Sequence, residues 1–327
     1  MDLGYALSSE EHKPLELVRH ARLAEEAGFP FALVSDHFHP WIDRQGQSPF
    51  VWSLIGAIAC ETETLKLGTG VTCPTIRTHP AIVAQAAATS AAMMPGRFFL
   101  GVGTGENLNE HILGDRWPSA HERLEMLEEA VALMRTLWKG ELTSFEGAHY
   151  VLDNARLYTL PDEPIDVVVA ASGPQAAELA GRIGDGLVST APEAELVDAF
   201  LEAGGEGPCY GQLTVCWAKS EEAARRTAFE VWPNAGLKGP LSQELPLPSH
   251  FEAAVEMVTE DDVAAEVVCG PDPEKHLEGI KAFVEAGFDH VYVHQVGPDQ
   301  EGFLAFYESD VLPEVRELST SRQPVRA

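Results

Sequence analysis

Lysine is scarce in this 327-residue chain, occurring only at positions 13, 66, 139, 219, 238, 275 and 281. With 51 Asp and Glu against 22 Lys and Arg, the formal charge is −29 at pH 7. A sequence-independent grip on phosphate needs clustered cations, so this balance argues against nucleic acid or an anionic membrane surface as a partner. Paired cysteines are missing as well. The five at 60, 73, 209, 216 and 269 never fall at C-x-x-C spacing, and an odd number in a long chain points to reduced thiols, a cytoplasmic setting and no structural metal. No run of 18 apolar residues occurs, and the opening MDLGYALSSEEHK is acidic where a signal peptide needs basic residues. Neither export nor membrane insertion is therefore expected. P-loop, G-x-S-x-G and H-E-x-x-H patterns are absent too, which removes support for a nucleoside triphosphatase, a serine hydrolase or a zinc protease.

What is present is a regular alternation. Apolar, β-branched runs stand at 3–7, 31–35, 65–71, 97–103, 165–171, 185–190, 212–218 and 290–296. Short runs of this kind read as strands buried on both faces. Helical patterns lie between them: PLELVRHARLAEEAG at 14–28 opens on Pro and stops at Gly28, and 121–140 and 273–288 repeat the pattern. Eight strands, nearly all followed by a helix, predict an α/β (β/α)8 TIM barrel as one domain over 1–318 and a frayed tail over 319–327. The residues beyond a minimal barrel fall into insertions at 146–164 and at the Pro-rich 239–250.

A barrel of this type places its active site at the C-terminal strand ends. Those ends are polar here: Ser35, Asp36 and His37 after the second strand, Gly70 and Val71 after the third, Thr104 to Asn109 after the fourth. Ala171, Ser172 and Gly173 follow the fifth strand, Thr190 the sixth and His294 the eighth. His37 and Glu106, arriving from different strands, suit a general base and a general acid. His39 and His294 read as structural residues. GVGTGENLNEH at 101–111 resembles a dinucleotide fingerprint, but its third glycine position is occupied by Glu106. AASGPQAAELAG at 170–181 runs from a small-residue turn straight into a helix, whose free N–H groups suit a phosphate.

SDHFHPW, LGTGVTCPT, PGRFFLGVGTGENLNEH, ERLEMLEEAV and AASGP taken together resemble one family, over about residues 2–316. It is the luciferase-like barrel oxidoreductases that use the deazaflavin coenzyme F420, in the branch that contains F420-dependent glucose-6-phosphate dehydrogenases. The resemblance implies that His37 takes the hydroxyl proton of an alcohol while hydride passes to the deazaflavin. It further implies that Trp41 braces the developing oxyanion and that Glu106 serves as acid near the ring. Asp36, Thr104, Gly105 and Asn109 would hold the coenzyme ring and ribityl chain, with Gly70 and Val71 joined by a cis peptide behind it. Ala171, Ser172, Gly173 and Pro174 would hold its phosphate.

Glucose-6-phosphate members of the branch grip the sugar phosphate with two Lys and one Arg, and the matching positions here are Glu193, Glu252 and Ala265. Together with Thr190, Glu193 and Glu252 are placed at the substrate. Carboxylates in place of cations repel a dianion, so the expected substrate is neutral: a secondary alcohol, a polyol, an unphosphorylated sugar or the carbonyl counterpart. The alternatives are an FMN monooxygenase or reductase on the same barrel, and a deazaflavin carrier without turnover. A homodimer is implied by the resemblance alone.

Overall fold

In the computed structural model, which describes residues 1–315, all eight predicted strands form. They are Asp2–Leu7, Phe31–Val34, Lys66–Thr69, Phe98–Val102, Val167–Ala170, Gly186–Ser189, Cys209–Cys216 and His290–Gln295. Each pairs in parallel with the next, and the eighth returns to the first through Tyr5 and Val293 to close the barrel. Closure explains the continuous apolar runs. One face of every strand packs inside the barrel and the other under the helices, so neither face meets water.

The interior is filled by Phe31, Leu33, Phe99, Val168, Val188, Tyr210 and Tyr292. Large and small side chains alternate around it. A Cβ on Gly4 would fall 2.3 Å from the Phe31 ring, and one on Gly68 would fall 2.2 Å from the Phe99 ring. The outer core joins the strands to helices such as Pro14–Ala27, which ends at Gly28 with φ of 95°, and Ala120–Leu137, which Ser119 caps.

Local departures from the expected pattern have physical reasons. The seventh strand begins three residues before 212, because Pro208 and the glycines around it mask an apolar start at Cys209. It ends at Cys216, since the next N–H, that of Trp217, donates to the Gln295 side chain at 2.7 Å instead of to the ladder. The insertion at 146–164 lies partly in an antiparallel hairpin of Thr143–Glu146 and Val151–Ala155. The Pro-rich insertion carries the short helix Leu241–Glu244 and the helix Pro248–Val255. The tail expected over 319–327 lies outside the described residues.

Candidate active site

At the C-terminal ends of the strands the chain encloses a cavity of about 320 Å³. The loop after the first strand brings Ser8 and Glu10 to its wall, both buried. His37, after the second strand, sets its Nε2 3.3 Å from Glu10 Oε1 and 3.4 Å from Glu106 Oε2. Its Nδ1 lies 3.1 Å from the carbonyl of His39. A carbonyl can only accept, so Nδ1 carries the proton, and in the neutral ring Nε2 keeps its lone pair toward the two carboxylates.

Three charge states are tied together at this point. Burial pushes the Glu10 carboxyl up, but His37, the Ser35 hydroxyl at 2.8 Å and more distant His294 outweigh it and hold Glu10 below the usual glutamate value. Burial pulls the His37 imidazolium down, while Glu10 first and Glu106 next raise it above an ordinary histidine. Glu106 goes the other way from Glu10. Desolvation outweighs His37, and Glu10 and Glu110 add like-charge repulsion, so its carboxyl is pushed up to about 7. One carboxylate is held ionised and the other is poised to keep a proton.

Asn109 fixes the second acid in place. Its Nδ2 donates to Glu106 Oε2 at 3.0 Å, while its Oδ1 accepts the N–H groups of Phe38 and His39 at 2.9 and 3.2 Å. The side chain thereby ties the fourth strand's loop to the second's. Trp41 packs its ring 5.1 Å from His37 and edge-on to Phe251 at 5.2 Å. His39 gives its Nδ1 to the Leu108 carbonyl at 2.8 Å and has no place in the cavity lining.

Beneath this lies a buried ionic layer. Asp36 accepts Thr72 Oγ1 at 2.8 Å and Arg77 Nη2 at 2.9 Å, and the Arg77 backbone N–H donates to Glu110 Oε2 at 2.7 Å. The peptide between Gly70 and Val71 is cis. Two glycines of GVGTG sit in close contacts: a Cβ on Gly101 would fall 1.9 Å from the Thr69 carbonyl oxygen, and one on Gly103 would fall 2.8 Å from Val71 Cγ2. These glycines serve the close approach of the fourth strand to the end of the third.

The chain matches the family model described as "Luciferase-like monooxygenase" over residues 1–290. The F420-dependent glucose-6-phosphate dehydrogenase of Beutenbergia cavernae is 37% identical over 326 residues, covering 96% of this chain and 97% of that protein. Its counterpart from Mycobacterium avium is 37% identical, covering 97% and 99%. The chain belongs to the luciferase-like family. Among solved structures, an F420-dependent secondary alcohol dehydrogenase in complex with an F420-acetone adduct superposes with a TM-score of 0.89 at 31% identity, covering 97% of this chain and 99% of that one. The coenzyme F420 dependent tetrahydromethanopterin reductase of Methanopyrus kandleri, at 21% identity and a TM-score of 0.79, shares the fold.

Of the residues singled out in the sequence, this luciferase-like cavity gathers His37, Trp41, Glu106, Asp36, Gly70, Val71, Thr104, Gly105, Asn109, Ala171, Ser172 and Thr190. Gly173 and Pro174 lie just outside the lining, where Gly173 caps the helix Pro174–Ile183 with no side chain over its first N–H groups. Glu193 and Glu252 are not brought to it. Glu193 is the exposed N-cap of the helix Ala194–Glu202. Phe251 takes the buried side of Pro248–Val255, which turns Glu252 outward to accept the Asp43 N–H at 3.3 Å. The expected repulsion of a phosphate therefore does not come from these two side chains. The lining itself holds Glu10, Asp36, Glu106 and Glu110 and neither Lys nor Arg.

Sequence reasoning missed Glu10, which stands in the polar stretch between the first strand and the helix Pro14–Ala27. It also missed Ser242 and Gln243, which line the cavity from the short insertion helix; Gln243 Nε2 donates to Ser172 Oγ at 3.3 Å. His294, read as structural, lines the cavity.

Proposed function

We propose that this luciferase-like protein is an F420-dependent dehydrogenase that oxidises a neutral alcohol or sugar hydroxyl, reversibly, and does not take glucose 6-phosphate. The observation that carries this reading is His37 Nε2 set between an ionised Glu10 and a protonatable Glu106 in a cavity lined by neither Lys nor Arg. The relatives named for F420 give the FMN alternative less support, and the paired acid and base speak for turnover over a carrier.

The residues present fit a deazaflavin. Leu33, Val71, Ala170 and Val188 offer an apolar bed, Glu106 can donate a proton, and the uncapped turn at Gly173 suits the single charge of a phosphodiester. Asp36, Thr104, Gly105 and Asn109 would lie along the ring and its ribityl chain, and Ala171, Ser172, Gly173 and Pro174 at the phosphate. Bound F420 supplies the hydride acceptor.

The protein's own part is proton handling. His37 Nε2 takes the hydroxyl proton as the carbinol hydride leaves, and the alcohol becomes a carbonyl compound. Glu10 stabilises the resulting imidazolium, the His39 carbonyl keeps the ring in its reactive tautomer, and Glu106 holds the second exchangeable proton. Trp41 lies beside the same ring in the cavity lining. Reduced cysteines support a cytoplasmic setting, and among the described residues no helix is long and apolar enough to cross a membrane. The family resemblance supports a homodimer.

Purified protein mixed with F420 and an alcohol, sugar and sugar-phosphate panel tests the reading through loss of the coenzyme's visible absorbance. His37→Ala should lower kcat by about 10²- to 10⁴-fold while F420 affinity changes less than about threefold. Full turnover in that variant, or strong activity with glucose 6-phosphate, overturns the assignment.

A further inference from the structure

The loop after the first strand carries two consecutive carboxylates, and each meets a histidine from a different neighbouring strand. Glu10 meets His37, which follows the second strand. Glu11 meets His294 of the eighth, Oε2 to Nε2 at 3.3 Å, with side chains only 7% and 5% exposed. The other Glu11 oxygen accepts the Gly297 N–H at 3.1 Å, which fixes the carboxylate.

An ionised carboxylate can only accept, so His294 carries a proton on Nε2 and turns Nδ1 elsewhere. Nδ1 has no hydrogen-bond partner among the described residues. His294 stands two residues beyond Tyr292 on the inward face of its strand, and both line the cavity. Gln212, paired with Tyr292 across the ladder, lines it too. The Gln212 amide and the Tyr292 hydroxyl likewise have no protein partner among the described residues. Three neighbouring polar side chains, none of them a carboxylate, thus face the cavity without satisfying one another. Their polar atoms open onto the cavity space, where a bound ligand can hydrogen-bond them.

We propose that His294, held by Glu11, binds a second hydroxyl of the substrate, so that the natural substrate is an unphosphorylated polyol or sugar rather than a simple secondary alcohol. A hydroxyl both donates and accepts, so it satisfies Nδ1 of either the neutral or the protonated ring, and it suits an amide and a phenol beside it. An anionic group would meet the ionised Glu10 with no Lys or Arg in the lining. Trp232, edge-on to His294 at 4.6 Å, supplies an apolar wall for the carbon skeleton. The inference rests on the dehydrogenase reading above and adds the class of alcohol to it.

The test measures kcat/KM with F420 for glycerol, xylitol and glucose against 2-propanol, in the wild type, His294→Leu and Glu11→Gln. The wild type should prefer at least one polyol. His294→Leu should lower the polyol-to-2-propanol ratio about tenfold or more, mainly through KM, and Glu11→Gln should move it the same way by a smaller factor. Titrating the coenzyme-free protein with the preferred polyol gives a second readout: the tryptophan fluorescence change in the wild type should need higher concentrations in both variants. If His294→Leu fails to fold, Glu11→Gln carries the comparison. Turnover of 2-propanol but of no polyol, or a ratio unmoved in the folded variants, overturns this inference and leaves the dehydrogenase standing. Failure to reduce F420 with any alcohol overturns both.

Discussion

His37 Nε2 lies 3.3 Å from Glu10 Oε1, and this contact joins the loops that follow the first two barrel strands. Glu10 accepts from Ser8 and Ser35 on its other oxygen, at 3.0 and 2.8 Å, so its position does not depend on the histidine. The base is thus seated against a fixed negative charge, and changing that charge changes the base without moving it.

Glu10→Gln removes the largest influence holding the His37 proton on. The His37 value should fall, so the acidic limb of the kcat/KM profile for alcohol oxidation should move to lower pH. With the imidazolium less stabilised, kcat should drop about 10- to 100-fold. Steady-state rates across a pH series check both effects, and an unmoved acidic limb refutes the coupling.

Glu106 keeps its proton up to about pH 7. If its protonated form is the active one, turnover should decline as pH rises through that value. Glu106→Gln, which cannot ionise, should lose this basic limb while running more slowly at every pH. The same profile measured on the variant decides the matter; a basic limb that persists there belongs to another group.

Arg77 is buried between Asp36 and Glu110, whose carboxyls it serves through its guanidinium and its backbone N–H. Arg77→Ala would leave two carboxylates in the interior without their cation. A loss of about 3–5 kcal/mol in unfolding free energy is expected, measured by urea denaturation at neutral pH. A change below about 1 kcal/mol would mean that the layer relaxes by taking up a proton.

Away from the cavity, His12 and His20 meet edge to face at 4.9 Å, and burial first, then the neighbouring His12, lower His20 to about 4. Between its ordinary 6.5 and about 4 the unfolded chain binds a proton that the folded chain does not. Stability should therefore fall as pH is lowered through that window. His20→Leu should flatten the fall without abolishing it, because His12 is lowered too. Thermal melts at pH 7 and pH 5 on both proteins provide the comparison.

The barrel was legible because strands covered on both faces leave unbroken apolar runs, as at Phe31–Val34 and Val167–Ala170. His37 and Glu106 were legible because each follows such a run. Glu10 and Glu11 were not: SSEEHK reads as the polar approach to the helix that opens at Pro14, and nothing local shows that two of its acids turn toward the barrel axis. The hairpin of Thr143–Ala155 was hidden for the opposite reason, since its strands are largely exposed and lack the apolar signature. Glu193 and Glu252 were placed by alignment of exposed stretches, where the direction of a side chain is set by which neighbour the helix buries.

Glu10 and Glu11 are adjacent in the chain, yet each answers to a histidine on the opposite flank of the first strand. Neither carboxylate can be displaced without the other, because one peptide link joins them. A single inserted or deleted residue between Leu7 and Glu10 would throw both pairs out of alignment at once. The length of the segment Ser8 to Glu11 is therefore a shared constraint on both pairs.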